Sequence, residues 1–122
     1  MTGKKTTILV ADDNKDFSDS IRDLLELEGY QTVGACNGVE AIEVIKKTSP
    51  DLVFMDMIMP VMDGLTAIPI IREIAPALPI IVLTALGDEK VLGEVMQAGA
   101  RHYLSKPINI ERMHECIREL LD

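Results

Sequence analysis

The apolar residues of this chain fall into two alternating patterns, short continuous runs and longer stretches in which they recur at helical spacing. Thr6 to Ala11 is such a run and ends at Asp12-Asp13. Phe17, Ile21, Leu24 and Leu25 follow at i, i+4, i+7 and i+8, which predicts one face of a helix capped by Asn14 or Asp16 and stopped at Gly29. Tyr30 to Ala35 is a strand diluted by Gln31 and Thr32, as an edge strand is. Asn37-Gly38 opens a second helix with Ala41, Ile42 and Ile45 inward, and Ser49-Pro50 prevents its continuation. Asp51 to Met55 is the third strand, delivering Asp56 at its carboxyl end. Leu65 to Ile74 has helical period through Ile68, Ile71 and Ile74, and Pro69 within it predicts either a start near Pro69 or a kink there. Pro79 to Leu83 is the most apolar strand and ends at Thr84. Asp88 can cap a fourth helix that uses Leu92, Val95 and Met96 and stops at Gly99. His102 to Leu104 is a short fifth strand before Ser105-Lys106-Pro107. Asn109 caps a last helix with Ile110, Met113, Ile117, Leu120 and Leu121 inward.

Five strand–helix units with near-continuous apolar strands predict an α/β fold, a doubly wound (βα)5 parallel sheet covered on both faces. Right-handed crossovers keep every strand's carboxyl end on one edge. Asp12 and Asp13 follow the first strand, Asp56 the third, Thr84 the fourth and Lys106 the fifth. In a 2-1-3-4-5 order the first and third strands are neighbours at the topological switch point, where open α/β sheets bind ligands. Three carboxylates then meet in one crevice beside a hydroxyl and an ammonium.

Composition narrows the reading. With 122 residues, 48% of them hydrophobic, the chain suits a single compact domain over residues 1–122. Twelve basic against twenty acidic residues give a formal charge of -8, which argues against a nucleic-acid or anionic-membrane surface. Signal-peptide pattern and membrane-length apolar segments are both lacking. Cys36 and Cys116 sit far apart with no metal-ligand spacing and read as reduced core thiols of a cytoplasmic protein. His102 and His114 stand alone, which suits surface or packing roles better than catalysis.

Three acids packed together repel one another unless something neutralises them. A divalent cation does so, magnesium first and manganese as its substitute, since the site offers oxygen ligands and neither His nor Cys for zinc or copper. Asp56 can then be a ligand, a nucleophile that forms an aspartyl phosphate, or both. Lys106 and the cation would offset charge on phosphoryl oxygens, and Thr84 could donate a hydrogen bond to one of them. Each residue also has an ordinary role: Asp12-Asp13 at a helix start, Asp56 in a turn, Thr84 as a β-branched strand residue, Lys106 on a solvated surface. Four strand ends carrying compatible chemistry favour the site.

At these residues the chain resembles the receiver domain of two-component response regulators, the family of the chemotaxis protein CheY with its flavodoxin-like fold. The resemblance spans essentially the whole length. It rests on Asp12-Asp13, the strand LVFMD running into Met59-Pro60 and Met62-Asp63-Gly64, Leu83-Thr84-Ala85, Gly99-Ala100 and Lys106-Pro107. It implies that Asp56 accepts a phosphoryl group from the phosphohistidine of a histidine kinase or phosphotransfer protein. Asp12, Asp13, Asp56 and the backbone carbonyl of Ile58 would hold Mg2+, in a loop shaped by Pro60 through Gly64. Thr84 and Tyr103 are similar to the switch pair, and Lys106 to the phosphate-contacting lysine in a cis Lys106-Pro107 peptide. Kinases of this family dock near the exposed part of the first helix, here Phe17, Ser18 and Arg22. Output would pass through the fourth helix, fifth strand and fifth helix, near Lys90, Val91, Glu94, Tyr103 and Glu111, to a downstream protein, an output domain or a second copy. Neither nucleic acid nor membrane is an implied partner of this domain.

Two positions that tune phosphoryl lifetime in the family are aliphatic here, Ile58 and Leu86, which predicts slow self-dephosphorylation. Two other readings follow from the same residues. A phosphohydrolase using an aspartyl phosphate needs a second acid two residues after the nucleophile, where Ile58 stands. A pseudo-receiver that only binds partners would lose an acid, the Thr or the Lys, and all are present.

Overall fold

In a computed structural model of the chain, residues 6–85 and 89–121 are described. Strands and helices alternate strictly as β1 (Thr7–Ala11), α1 (Lys15–Leu27), β2 (Gln31–Ala35), α2 (Gly38–Thr48), β3 (Leu52–Asp56), α3 (Gly64–Ile74), β4 (Ile80–Thr84), α4 (Glu89–Ala98), β5 (His102–Ser105) and α5 (Ile110–Leu121). The strands form one parallel sheet in the order β2-β1-β3-β4-β5, the doubly wound architecture read from the sequence.

The period of two along each strand divides the core into two layers. Val53 and Met55 point to the layer closed by Ala41, Ile42 and Ile45 of α2, Ala67, Ile68 and Ile71 of α3, and Val95 of α4. Leu52 and Phe54 point the other way, to Ile21 and Leu25 of α1 and Met113, Cys116 and Ile117 of α5. Both faces are covered, so a strand needs apolar residues at every position rather than at alternate ones. That is the origin of the continuous runs. The diluted run forms β2, an edge strand.

Side-chain caps start the helices next to the site. Asn14, Asn37 and Asp63 accept the N–H groups of Phe17, Glu40 and Thr66, filling donors that the first turn leaves without intrahelical partners. At the far end of α1 Gly29 takes φ 99°, and at that of α4 Gly99 takes φ 129°, a conformation that penalises any Cβ. The Arg72 side chain lies against Gly99 and binds the carbonyls of Pro76 and Leu78.

Several expectations need correction. β3 extends through Asp56, because its ladder with β4 continues to Asp56 opposite Leu83. α3 does not start at Pro69. It runs from Gly64, because the Asp63 cap and the buried stripe Ala67, Ile68 and Ile71 outweigh the N–H that proline lacks. Ile74 and Ile110 are exposed rather than inward, and Leu24 is only half-buried. Cys116 is a core thiol, but Cys36 lies just past the end of β2 and is exposed. Leu86 and the Asp88 cap lie outside the described residues, as does the side chain of Lys90. No helix among the described residues is long and apolar enough to cross a membrane.

Candidate functional site

Strand register assembles the site. Ala11 of β1 pairs with Met55 of β3, so Asp12 and Asp56 are the next residues along neighbouring strands. Thr84 of β4 pairs with Ser105 of β5, and the Lys106 backbone N–H donates to the Thr84 carbonyl at 2.8 Å. Carboxylate oxygens of Asp12, Asp13 and Asp56 lie within 4.8 Å of one another, a group that could hold a metal ion. Asp12 is buried, Asp56 partly so and Asp13 exposed, so the cluster opens to solvent on one side.

Lys106 enters this cluster from the β5–α5 connection. Its Nζ lies 2.7 Å from Asp12 Oδ2 and 3.3 Å from Asp56 Oδ2. The other oxygen of Asp12 accepts the Asn14 backbone N–H at 2.9 Å, and Asp56 Oδ1 accepts that of Ile58 at 3.3 Å. One ammonium does not balance three carboxylates. Burial, then repulsion from Asp12, pushes the Asp56 carboxyl up to about 6, with Lys106 and the Ile58 N–H opposing only part of that rise. Burial alone would lower Lys106, but its hydrogen bond to Asp12 and the charges of Asp56 and Asp12 outweigh it and hold the ammonium above its ordinary value. An oxygen-only donor set with surplus negative charge fits a hard divalent cation.

The loop from β3 to α3 is pinned at both ends. Gly64 donates to the Met57 carbonyl at 3.0 Å, and a Cβ at Gly64 would stand 2.5 Å from the Asp56 carbonyl oxygen. Gly38, at the start of α2, donates to the Met62 carbonyl at 2.7 Å, where a Cβ would stand 2.7 Å from the same oxygen. Glycine is needed at both for close backbone approach rather than for an unusual φ. Within the loop Val61 takes φ 67°, costly for a β-branched residue. Pro60 is exposed, Met59 is buried, and Ile58 is 67% exposed.

Not every residue singled out in the sequence joins the cluster. Thr84 is buried at its flank, and its hydroxyl donates to the Leu104 carbonyl over a long 3.5 Å. Tyr103, 47% exposed on β5, faces solvent, and the Lys106-Pro107 peptide is cis. Ser18 is buried rather than exposed, and the half-buried Arg22 donates to Thr32 Oγ1 at 3.1 Å. The sequence puts Phe17 on the apolar stripe of α1 and the resemblance puts it beside a docking surface; its ring lies beneath the Lys106 ammonium, 4.4 Å from Nζ to the ring centroid. Its place one helical turn after Asp13 is the only sequence signal for that contact. His102 and His114 face Glu119 at 2.9 Å and Glu28 at 3.9 Å, away from the cluster, as surface packing roles require.

Comparison with known proteins places the chain as a whole. A family model described as response regulator receiver domain matches residues 8–118. The chemotaxis protein CheY of Bacillus subtilis is 39% identical over 116 residues, which cover 94% of this chain and 97% of that protein. Sporulation initiation phosphotransferase F of the same organism is 32% identical over 114 residues, covering 93% of this chain and 92% of that protein. Among solved structures, a two-component response regulator from Clostridium difficile superposes with a TM-score of 0.90 at 30% identity, covering 96% of each chain.

Proposed function

This chain belongs to the response regulator receiver domain family, and we propose that it acts as a single receiver domain whose phosphoacceptor is Asp56. The observation that carries this reading is the convergence of three carboxylates within 4.8 Å, with Lys106 bridging Asp12 and Asp56. The donor is the phosphohistidine of a kinase or phosphotransfer protein. An Asp56 carboxylate oxygen attacks phosphorus, the new P–O bond forms as the donor's P–N bond breaks, and the electron pair returns to the imidazole nitrogen. Asp56 must be ionised to attack, and its raised value of about 6 still leaves it mostly ionised at neutral pH.

Asp12, Asp13, Asp56 and the Ile58 backbone carbonyl would hold Mg2+, or Mn2+ in its place, which would neutralise the carboxylates and the transferred oxygens. Lys106 pairs with a phosphoryl oxygen, exchanging one anionic partner for another. Thr84 gives up its long bond to the Leu104 carbonyl and donates to the phosphoryl group. Tyr103 then turns from solvent toward the space that Thr84 leaves. This change remodels the face of α4, β5 and α5 around Val91, Glu94, Tyr103 and Glu111, where a downstream protein, an output domain or a second copy binds.

Turnover is low because Ile58, exposed two residues after Asp56, has no polar group to orient an attacking water. Ile58→Asn is expected to shorten the phosphoryl lifetime by about ten-fold, the worth of one hydrogen bond of about 1.4 kcal/mol to that water. Decay followed by intact mass after removal of donor checks this, and an unchanged lifetime would count against it. The function itself is tested by incubation with acetyl phosphate. One phosphoryl group per chain, absent without divalent cation and absent in Asp56→Asn, supports a switch. Continuous release of inorganic phosphate would mean a hydrolase, and no uptake a pseudo-receiver.

A further inference from the structure

We propose that Phe17 is a positioning residue for phosphoryl transfer, its ring face holding the Lys106 ammonium over the acidic crevice; this rests on the phosphoacceptor reading above. The contact closes a circuit of four links. Asp12 Oδ1 accepts the Asn14 N–H at 2.9 Å, and Asn14 Oδ1 accepts the Phe17 N–H at 3.1 Å. The Phe17 ring lies 4.4 Å from Lys106 Nζ, and that Nζ returns to Asp12 Oδ2 at 2.7 Å. The N-terminal cap of α1 therefore fixes the ring relative to the carboxylate that the lysine must reach. Lys106 arrives from the far side, anchored through its backbone N–H to the Thr84 carbonyl.

An ammonium has three N–H donors on a flexible stem. Two carboxylates take part of that capacity, Asp12 and Asp56. The negative face of an aromatic ring is the third described neighbour and attracts the cation without competing as a hydrogen-bond acceptor for its remaining reach. When Asp56 gains a phosphoryl group, the ammonium has to follow the new oxygens rather than swing out to solvent. A half-buried ring on α1 restricts it to that sector. Phe17 also packs against the core layer of Ile21 and Met113, so ordinary packing is the competing explanation. An aliphatic side chain would satisfy packing. It would not hold a cation.

The test compares Phe17→Leu, which keeps apolar bulk, with Phe17→Tyr, which keeps the π face. Each is made in the wild-type chain and in Lys106→Met, and phosphorylation by acetyl phosphate with Mg2+ is timed. Phe17→Leu is expected to slow uptake by about three- to ten-fold, the range of a partly exposed cation–π contact. Phe17→Tyr should stay within about two-fold, and Phe17→Leu should add no loss once Lys106 is gone. The ε-methylene protons of Lys106, observed by NMR without any donor, should show an upfield ring-current shift in the wild type and in Phe17→Tyr that Phe17→Leu abolishes. Equal slowing by Leu and Tyr, an undiminished Phe17→Leu effect in Lys106→Met, or unshifted Lys106 protons would overturn the proposal. If no chain takes up phosphate, the receiver chemistry fails and the positioning role falls with it. The shifted protons distinguish that result from failure of the contact alone.

Discussion

Asp56 is held in an environment that favours its protonated form, and that has a measurable consequence for stability. Burial and the neighbouring Asp12 raise its carboxyl from 3.8 to about 6. Below about pH 4 the group is protonated whether the chain is folded or not, and contributes nothing. Between about pH 4 and pH 6 the unfolded chain ionises first, so stability falls as pH rises, and above about pH 6 the full cost is present. A rise from 3.8 to about 6 corresponds to about 3 kcal/mol, reduced to about 1–2 kcal/mol because solvent screens a site open on one side. Asp56→Asn removes the charge and keeps the shape. In cation-free buffer it should be more stable than the wild type by that amount at pH 7 and indistinguishable below pH 4, as measured by urea unfolding. An equal gain at both pH values would show that charge strain is not the cause.

The element that frames this residue is α3, whose first residue lies on the backbone of Asp56. At Gly64 a Cβ would meet the Asp56 carbonyl oxygen at 2.5 Å and Met57 Cα at 3.2 Å, both backbone atoms that cannot rotate away. Gly64→Ala should therefore cost about 1–3 kcal/mol by overpacking and also weaken divalent-cation binding, because relief requires moving the strand tip. Gly93, exposed in α4, is the matched control, since an added Cβ there would meet nothing within 4 Å. Gly93→Ala should stabilise by about 0.5–1 kcal/mol through helix propensity alone. Denaturant unfolding and calorimetric titration with Mg2+ on the two variants check both signs. A stabilising Gly64→Ala would mean that the start of α3 is not pressed against the site.

At the scale of the molecule, most of the architecture was legible because both faces of the sheet are covered, which leaves apolar runs and helical stripes distinct. Asp12, Asp13, Asp56 and Lys106 could be placed together from topology, since each follows a strand whose carboxyl end lies on the same edge. Less was legible where long-range packing overrides local preference. Pro69 reads as a helix start or a kink, and the start is ruled out because the buried stripe and the Asp63 cap hold the turn before it. Cys36 reads as core from composition, but lies beyond the last residue of β2. The Phe17–Lys106 contact joins positions at opposite ends of the chain, and neither residue type announces the other. Twenty acidic against twelve basic residues give the chain its charge of -8, and one of those acids, Asp56, is the proposed acceptor. Borohydride reduction of the phosphorylated chain, followed by peptide mapping, tests that claim most directly, because an aspartyl phosphate is reduced to homoserine while a free aspartate is not. Homoserine at position 56 and at no other aspartate is the predicted result; homoserine at Asp12 or Asp13, or its absence from a chain that carries phosphate, would contradict it.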